Sequence, residues 1–450
     1  MSRERKREII AAIVANKPTQ GPVHAELDLT DRCNVACYFC NQQDLRTKES
    51  IPLPRLTDLI DELASTGLRS VRLSGGGDPL FHKDVLNVID HLAARNVIVD
   101  NVTTNGVAMT TEVATRLVKN KAREVIFSLN AADAPDYARM MKVKPQLFDK
   151  VVENMKNLLA IRGESIYPSV VIQFLIDKYN VDRIVEMYEL ARSIGPDRVA
   201  INAVLEIPME RIDRERLLTP DDRYKAEAQV EEVIRRDKDV GMLQIDFAIA
   251  GWNEMLGAVR ERVGSPAHNM YPIASSYKDE NGGCFFAWYT AAITGNGDIR
   301  PCCLLLNPGV KPLGNIHDGK FADHWNGPQF AKMRDEMREV LLRKGKVQYS
   351  TQKFEVLKEP CVIDGLCWLK NMYFRADEEF YRELDEKLTA ARKEEINFVT
   401  GNSTQRKRAA ELFIQEHPKL KRSWDWLREN SRPARVFLKS KLGVDLTDAV

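Results

Sequence analysis

The stretch LDLTDRCNVACYFC (residues 27–40) decides the fold, because it joins an apolar run to three closely spaced cysteines. The run Val23–Thr30 is predicted as a strand, and Cys33, Cys37 and Cys40 follow it with C-x3-C-x2-C spacing. Parallel α/β folds bind ligands where such strands end. We therefore interpret residues 33–40, the cysteine loop, as a metal site at the carboxyl edge of a sheet.

Three thiolates can hold three irons of a [4Fe–4S] cube, whereas ligation of all four irons takes four thiolates. The fourth iron then keeps an open position for a substrate or cofactor. Zinc is the alternative, but a structural zinc site normally has four protein ligands. His24 is the histidine nearest to the loop, and its place inside the strand favours a packed or solvent-facing role. A non-enzymatic zinc-binding interaction protein is thus the competing interpretation.

Short apolar runs alternate with amphipathic segments from about Val23 to Val204, which predicts parallel strands joined by crossover helices. The predicted strands are Val23–Thr30, Ser70–Leu73, Val97–Thr103, Val125–Leu129, Pro168–Ile176 and Arg198–Val204. The fold class is α/β, a partial (β/α)6 barrel. A small cysteine-bearing hairpin domain and a helical C-terminal tail are expected to follow it.

Four domain ranges are predicted along the chain. An N-terminal helix occupies 1–22, the partial barrel 23–240, a linker and hairpin domain 241–371, and a helical extension 372–450. The turn Gly295–Asp298 between two apolar runs indicates the hairpin. An apolar stripe after Met372 indicates the helix of the extension.

The C-x3-C-x-aromatic-C motif resembles the signature of the radical S-adenosylmethionine (SAM) superfamily, and further motifs fit that resemblance. Ser74-Gly75-Gly76-Gly77-Asp78-Pro79 resembles the glycine-rich motif of the family, with Asp78 in place of the usual Glu. By that resemblance, the cofactor-binding residues are Phe39, Gly75, Gly76, Gly77, Asp78, Thr104, Asn105, Ser128, Asn130, Arg139 and Gln173. Ser128 and Asn130 would face the ribose, Arg139 the carboxylate, and Phe39 and Gln173 the adenine.

The resemblance also implies a mechanism. A reduced [4Fe–4S] cluster bound to SAM passes one electron to the sulfonium, and the resulting 5′-deoxyadenosyl radical takes a hydrogen atom from the substrate. The cofactor carries out this chemistry, while the protein supplies orientation and excludes water.

A second group of cysteines lies in the C-terminal third. Cys284 and Cys302 form a C-x12-G-x4-C segment, and Cys361 and Cys367 a C-x5-C pair. This region resembles the SPASM/Twitch auxiliary-cluster domains of the same superfamily. The full SPASM pattern would need cysteines where Lys358 and Asn371 stand. One auxiliary [4Fe–4S] cluster, held by these four cysteines, is therefore expected.

Cys303, next to Cys302, is not needed as a ligand. Free cysteines are commonly buried, and this is the simpler interpretation. The sharper hypothesis is that Cys303 donates a hydrogen atom to a substrate radical, as an epimerase requires.

Two kinds of substrate are compatible with the resemblance. We favour a small polar molecule (a sugar, an aminocyclitol or a natural-product intermediate) that is oxidised, epimerised or dehydrated. The alternative is a peptide- or protein-modifying maturase, for which about 25 residues before the barrel are a short recognition segment. A reductant such as flavodoxin or ferredoxin is the expected partner.

The net charge of +1 gives no electrostatic case for nucleic acid or for an anionic membrane. No apolar stretch is long enough to span a bilayer, and residues 1–17 lack the apolar core of a signal peptide. A cytoplasmic location is therefore expected.

Overall fold

The computed structural model describes the chain in seven ranges and one isolated residue, and every structural statement below refers to them. They are residues 2–40, 42, 47–204, 214–246, 252–264, 285–302, 311–342 and 378–400. Within them, no helix is both long and apolar enough to cross a membrane.

The described strands form one sheet, in which seven consecutive strands run parallel. In chain order the strands are β1 His24–Leu27, β2 Ser70–Leu73, β3 Ile98–Thr104, β4 Glu124–Ser128, β5 Ser169–Ile176, β6 Arg198–Ala203, β7 Leu243–Asp246, β8 Thr290–Ile293, β9 Asp298–Arg300 and β10 Gly314–Asn315. Their order in the sheet is β10-β9-β8-β1-β2-β3-β4-β5-β6-β7. Strands β1 to β7 are the seven consecutive parallel strands, and β8 also pairs in parallel with β1. The predicted α/β fold with a parallel sheet is thereby confirmed, and β7 extends it beyond the six strands that the pattern indicated.

Of the next described helices, one precedes the parallel strands, seven lie in the connections between them, and one follows β7. They are α1 Arg3–Ala15, α2 Leu53–Ser65, α3 Val85–Ala94, α4 Thr111–Lys119, α5 Ala134–Met141, α6 Gln146–Arg162, α7 Ile184–Ile194, α8 Arg223–Asp237 and α9 Trp252–Val263. Local sequence fixes several of their starts. Thr110 caps α4 by accepting a hydrogen bond from the amide of Val113, and Asp133 caps α5 through the amide of Asp136.

The predicted hairpin forms strands β8 Thr290–Ile293 and β9 Asp298–Arg300, joined by a turn in which Gly297 has φ +88°. Strand β8 pairs in parallel with β1, with His24 opposite Thr290 and Leu27 opposite Ile293. The hairpin therefore continues the barrel sheet, beside the strand that leads into the cysteine loop. The domain boundaries given above stay a prediction.

The last described elements are β10 Gly314–Asn315, α10 Phe321–Trp325, α11 Pro328–Leu342 and α12 Glu378–Thr400. Helix α12 confirms the expected C-terminal helix, and the predicted stripe residues Phe380, Leu384 and Leu388 are buried.

Arg334 of α11 fastens this helix to the segment that leads into β8. It is 1% exposed, and its guanidinium donates to the backbone carbonyls of Ala287 (2.8 Å) and Trp325 (2.9 Å). The guanidinium also lies 4.6 Å from the ring centre of Trp325. Burial lowers the pKa of Arg334 to about 10, so the group stays charged at neutral pH and its hydrogen bonds are charge-assisted.

We expect Arg334→Ala to lower the free energy of unfolding by about 2–4 kcal/mol, because it strands two buried carbonyls and leaves a cavity. Urea unfolding of the purified chain measures this. Gln329→Ala, on the exposed side of the same helix, should stay within about 0.5 kcal/mol of the parent. Equal effects of the two substitutions would contradict the role given to Arg334.

Candidate functional site

The cysteine loop is held against the C-terminal end of α5. The amide of Ala36 donates to the carbonyl of Met141 (3.0 Å), and the amide of Tyr38 donates to that of Met140 (3.3 Å). Carbonyls in the last turn of a helix have no partner within the helix, so the loop amides satisfy them. Between the two bonds, the thiol of Cys37 lies 3.5 Å from the sulfur of Met141.

Asp78 links the loop after β2 to the end of β3. Its buried carboxylate accepts hydrogen bonds from the hydroxyl of Thr104 (2.8 Å), the amide of Asn105 (2.7 Å) and the amide of Leu80 (3.0 Å). The amide of Asp78 itself donates to the carbonyl of Arg32 (3.0 Å). The carboxylate, predicted to bind the cofactor, is thus engaged within the protein and joins the loops after β2 and β3, while the amide of Asp78 joins them to the cysteine loop.

Asn105 connects that framework to the first cysteine. Its side-chain amide donates to the side-chain oxygen of Asn34 (2.7 Å) and lies 3.6 Å from the sulfur of Cys33. An N–H group aimed at a thiol stabilises the thiolate form that metal ligation requires. The predicted residue Asn105 therefore lies at the site and contacts a predicted ligand.

The three glycines are required by protein packing. A methyl group on Gly75, which has φ +121°, would lie 1.6 Å from a carboxylate oxygen of Asp28, and one on Gly76 would lie 2.3 Å from Asp31. The family resemblance predicts these glycines as cofactor-binding residues. The structure shows that they also make room for two carboxylates that follow β1.

Asp31 ties the cysteine loop to the hairpin turn. One carboxylate oxygen accepts from the amide of Gly295 (3.2 Å), and the other accepts from the hydroxyl of Thr47 (2.5 Å). A small polar cavity lies between these elements. Its lining comprises Asp28, Asp31, Gln42, Gly76, Thr294, Asn296, Asp298 and Arg300. Burial raises the pKa of Asp28 well above its usual value, and the neighbouring charge of Glu26 raises it further.

The residues predicted to face the ribose and the adenine occupy adjacent strands. Ser128 of β4 is opposite Gln173 of β5 in the register, and both are half-buried. Asn130 is buried with φ +60°, and its side-chain oxygen accepts from the amide of Leu175 (3.0 Å). Phe39 packs with Leu175 against Val204 and Leu217. Ser128 and Gln173 thus lie side by side and half-buried, and their contact to the nucleoside stays a prediction. The amide oxygen of Asn130 is engaged with β5.

Arg139 of α5 has capacity for an anion. One amino group of its guanidinium pairs with Asp136 (2.9 Å), and the guanidinium lies 5.1 Å from the ring centre of Tyr179. The other amino nitrogen, Nη1, is buried and has no hydrogen-bond partner among the described residues. Buried donors are normally satisfied, so Arg139 fits a ligand carboxylate.

The cysteine loop fits an iron–sulfur cube. Cys33, Cys37 and Cys40 are thiols, with Cys37 buried and the other two half-buried. Within the described ranges, no three His, Cys, Asp or Glu side chains converge as ligands of a single metal ion do. A cube attaches each thiolate to a different iron, so it does not require such convergence.

Of the second cysteine group, Cys302 is described and is 3% exposed. Cys284, Cys303, Cys361 and Cys367 lie outside the described residues. The auxiliary ligand set and the hydrogen-donor role of Cys303 therefore stay predictions.

A cluster at the end of β5 was missed by the sequence analysis. Asp177 accepts from the hydroxyl of Tyr38 (2.5 Å) and pairs with Arg216 (3.0 Å), whose guanidinium lies 3.5 Å from the centre of the Tyr38 ring. The cluster anchors the loop between Cys37 and Cys40. The three residues are far apart in sequence. The one feature of the sequence that could have indicated the cluster is the aromatic residue Tyr38 inside the cysteine motif.

Comparison with known proteins identifies two regions of the chain. A family model described as the radical SAM superfamily matches residues 27–191, and one described as an iron–sulfur cluster-binding domain matches residues 284–348. The first spans the strands and loops of the candidate site, and the second spans the hairpin with Cys284 and Cys302.

Three curated relatives illustrate the functions found among similar proteins. Mycofactocin maturase MftC of Mycolicibacterium smegmatis is 30% identical over 175 residues, 39% of this chain and 43% of that protein. A GTP 3′,8-cyclase of Desulforamulus reducens is 31% identical over 121 residues, covering 26% and 36%. The PqqA peptide cyclase of Streptomyces rochei is 21% identical over 316 residues, covering 69% and 78%. The match to MftC thus spans less than half of that relative.

Among solved structures, Streptococcus suis SuiB bound to its precursor peptide SuiA aligns with a TM-score of 0.55. The sequences are 18% identical, and the alignment covers 81% of this chain and 76% of SuiB. This likeness shows the fold. Our preference for a small-molecule substrate over a peptide is wrong, because similar proteins include a maturase, a peptide cyclase and SuiB with its precursor peptide.

His24, the histidine considered for a zinc site, is a buried residue of β1. It is fully buried, and its Nδ1 lies 3.0 Å from the hydroxyl of Ser70, its register partner in β2. Burial, and secondarily the charge of Arg72, lower its pKa to about 3. The imidazole is therefore neutral in the folded protein at neutral pH, and the strand places it in the core.

The depressed pKa of His24 predicts a loss of stability in mild acid. The unfolded histidine takes up a proton below its ordinary pKa of about 6.5, while the folded one does not until about pH 3. The stabilisation that the neutral His24 gives the folded protein is complete above about pH 6.5. Its loss lowers the free energy of unfolding by about 2 kcal/mol as the pH falls from 7 to 5. Urea unfolding between pH 7 and pH 5 measures how steeply the free energy of unfolding falls with pH. This slope should be smaller in His24→Asn than in the parent.

His317→Asn is the matched control, since His317 is exposed and solvated in the folded and unfolded chain alike. If the slope of His24→Asn equals those of the parent and of this control, His24 is not the group responsible.

Proposed function

The chain belongs to the radical S-adenosylmethionine superfamily, and from that premise we propose that it modifies a peptide or protein substrate. It holds a [4Fe–4S] cluster with SAM and an auxiliary iron–sulfur cluster. These cofactors supply the one-electron chemistry that removes a hydrogen atom from a substrate. The peptide is the proposed part.

The observation that carries the proposal is the continuous sheet that joins the cysteine loop to the hairpin leading to Cys302, in a chain that aligns with SuiB over 81% of its length. SuiB was solved with a precursor peptide. Two relatives are named a maturase and a peptide cyclase, which are also names of peptide-modifying proteins. GTP 3′,8-cyclases are also among the similar proteins, and the matches to them cover from 26% to 52% of this chain. GTP is therefore the small-molecule alternative against which the peptide proposal is tested.

The described residues have separate tasks in this proposal. The thiolates of Cys33, Cys37 and Cys40 would hold the N-terminal cluster, with Asn105 positioning the first of them. Arg139 would bind the carboxylate of SAM through its buried Nη1. The edge formed by Ser128 and Gln173 would face the nucleoside part, which adjacent polar side chains can bind by hydrogen bonds.

We expect Arg139→Ala to raise the Kd for SAM about 10- to 100-fold, because it removes a charge-assisted hydrogen bond worth about 1.5–3 kcal/mol. Equilibrium binding of SAM to the anaerobically reconstituted protein measures this. Arg95→Gln removes an exposed arginine that pairs with Asp61 far from the loop and should leave the Kd unchanged. A wild-type Kd in a fully folded Arg139→Ala protein would place the carboxylate elsewhere.

The substrate class is tested with the full chain, reconstituted with iron and sulfide and reduced chemically. Synthetic peptides encoded by short reading frames beside its gene are one set of probes, and GTP is the small-molecule probe. We expect a peptide to raise 5′-deoxyadenosine formation above the uncoupled background and to change in mass. Liquid chromatography with mass spectrometry measures both products.

The triple variant Cys33→Ala, Cys37→Ala, Cys40→Ala is the control for both signals and should produce neither. Stimulation by GTP, with no peptide modified, would overturn the peptide proposal while leaving the superfamily membership intact.

A further inference from the structure

Tyr137 of α5 is completely buried, and its hydroxyl has no hydrogen-bond partner among the described residues. Leaving a buried hydroxyl unsatisfied costs about 1–3 kcal/mol, and most buried polar groups in folded proteins are paired. A phenylalanine would fill the same space without that cost. The hydroxyl therefore requires a hydrogen-bond acceptor that the described residues do not supply.

The place of Tyr137 shows where that acceptor lies. Residues four apart on a helix share one face, so Tyr137 lies one turn from Met141, whose sulfur is 3.5 Å from the thiol of Cys37. Burial raises the pKa of Tyr137 above its usual value, and the charges of Cys37, Asp78 and Cys33 raise it further. The phenol thus lies within electrostatic reach of two predicted ligands of the cluster.

The chemistry of Asp78 and Cys37 indicates which of them accepts a hydrogen bond from the Tyr137 hydroxyl. Asp78 receives hydrogen bonds from Thr104, Asn105 and Leu80, so its carboxylate is already well satisfied. Cys37 becomes an anionic thiolate when it ligates iron, and a thiolate accepts hydrogen bonds better than a thiol does. The backbone bonds on either side of Cys37 to Met140 and Met141 fix the loop on the same helix that carries the phenol.

We propose that the hydroxyl of Tyr137 donates a hydrogen bond to the iron-bound sulfur of Cys37 and thereby tunes the N-terminal cluster. Hydrogen bonds to sulfur set the reduction potential of iron–sulfur clusters, because they stabilise the more negative, reduced state. Tyr137 therefore makes this cluster easier to reduce. The inference rests on the cluster assignment and is independent of the peptide proposal.

The test is the midpoint potential of the N-terminal cluster in reconstituted full-length Tyr137→Phe, followed by electron paramagnetic resonance during a redox titration. The signal that changes on addition of SAM identifies this cluster. Reduction is expected to be about tenfold less favourable than in the parent, equal to about 59 mV for one electron. Tyr137→His, which keeps a ring N–H donor, should recover part of the shift.

Tyr188→Phe is the matched control. Tyr188 is also fully buried, but its hydroxyl donates to Asp237 (2.9 Å), away from the cysteine loop. This variant should lose stability and keep the parent potential. A parent-like potential in Tyr137→Phe with full iron content would overturn the proposal.

If Tyr137→Phe takes up little iron on reconstitution, we measure its iron content and the thermal unfolding of the cluster-free chain. Lost iron with unchanged unfolding would support the contact to the cluster. Loss of both would show that the hydroxyl serves the fold instead, which would also overturn the proposal.

Discussion

The carboxylate of Asp78 is the interaction on which the rest of the site depends. It is buried and takes hydrogen bonds from the end of β3, through Thr104 and Asn105, and from its own loop, through Leu80. The amide of the same residue reaches the carbonyl of Arg32, directly before Cys33. The side chain and the backbone amide of one residue together therefore link the loops that follow β1, β2 and β3. Such charge-assisted bonds are stronger in a buried setting than in water.

The parallel sheet gives the two cysteine regions a defined relation. The cysteine loop leaves the carboxyl end of β1, and β8 runs beside β1 in the same direction. Strand β9 runs back antiparallel to β8, so Cys302, two residues beyond Arg300, emerges at the opposite edge of the sheet. Four residues of strand span about 13 Å along the strand direction, so Cys302 and the cysteine loop lie at opposite ends of the paired strands β1 and β8. Asp31, bonded to Gly295 of the hairpin turn, holds the near end of that hairpin at the cysteine loop.

Much of the barrel could be predicted because its signals are local. Strand Ser70–Leu73 was predicted with the bounds that the structure shows, and the strand predicted from Arg198 ends one residue earlier, at Ala203. The pairing of β8 with β1 could not be predicted, since it joins residues more than 260 positions apart and no period in the sequence records such a partner. Strand β7, Leu243–Asp246, was also missed.

The same limit applies within the site, where polar residues after a strand look alike in sequence but differ in what they can still bind. Asn130 and Asp78 were predicted to bind the cofactor, yet the amide oxygen of one and the carboxylate of the other hold neighbouring strands and loops together. Nη1 of Arg139 and the hydroxyl of Tyr137 are buried without a hydrogen-bond partner among the described residues. Satisfied groups of this kind define the framework, and these two donors on α5 are the candidates for contacts to a ligand. Whether a polar group is satisfied depends on its neighbours in three dimensions, which motif spacing does not record. Arg139 was therefore predicted from its place in a motif, whereas Tyr137 was not predicted, although both lie on α5 beside the cysteine loop.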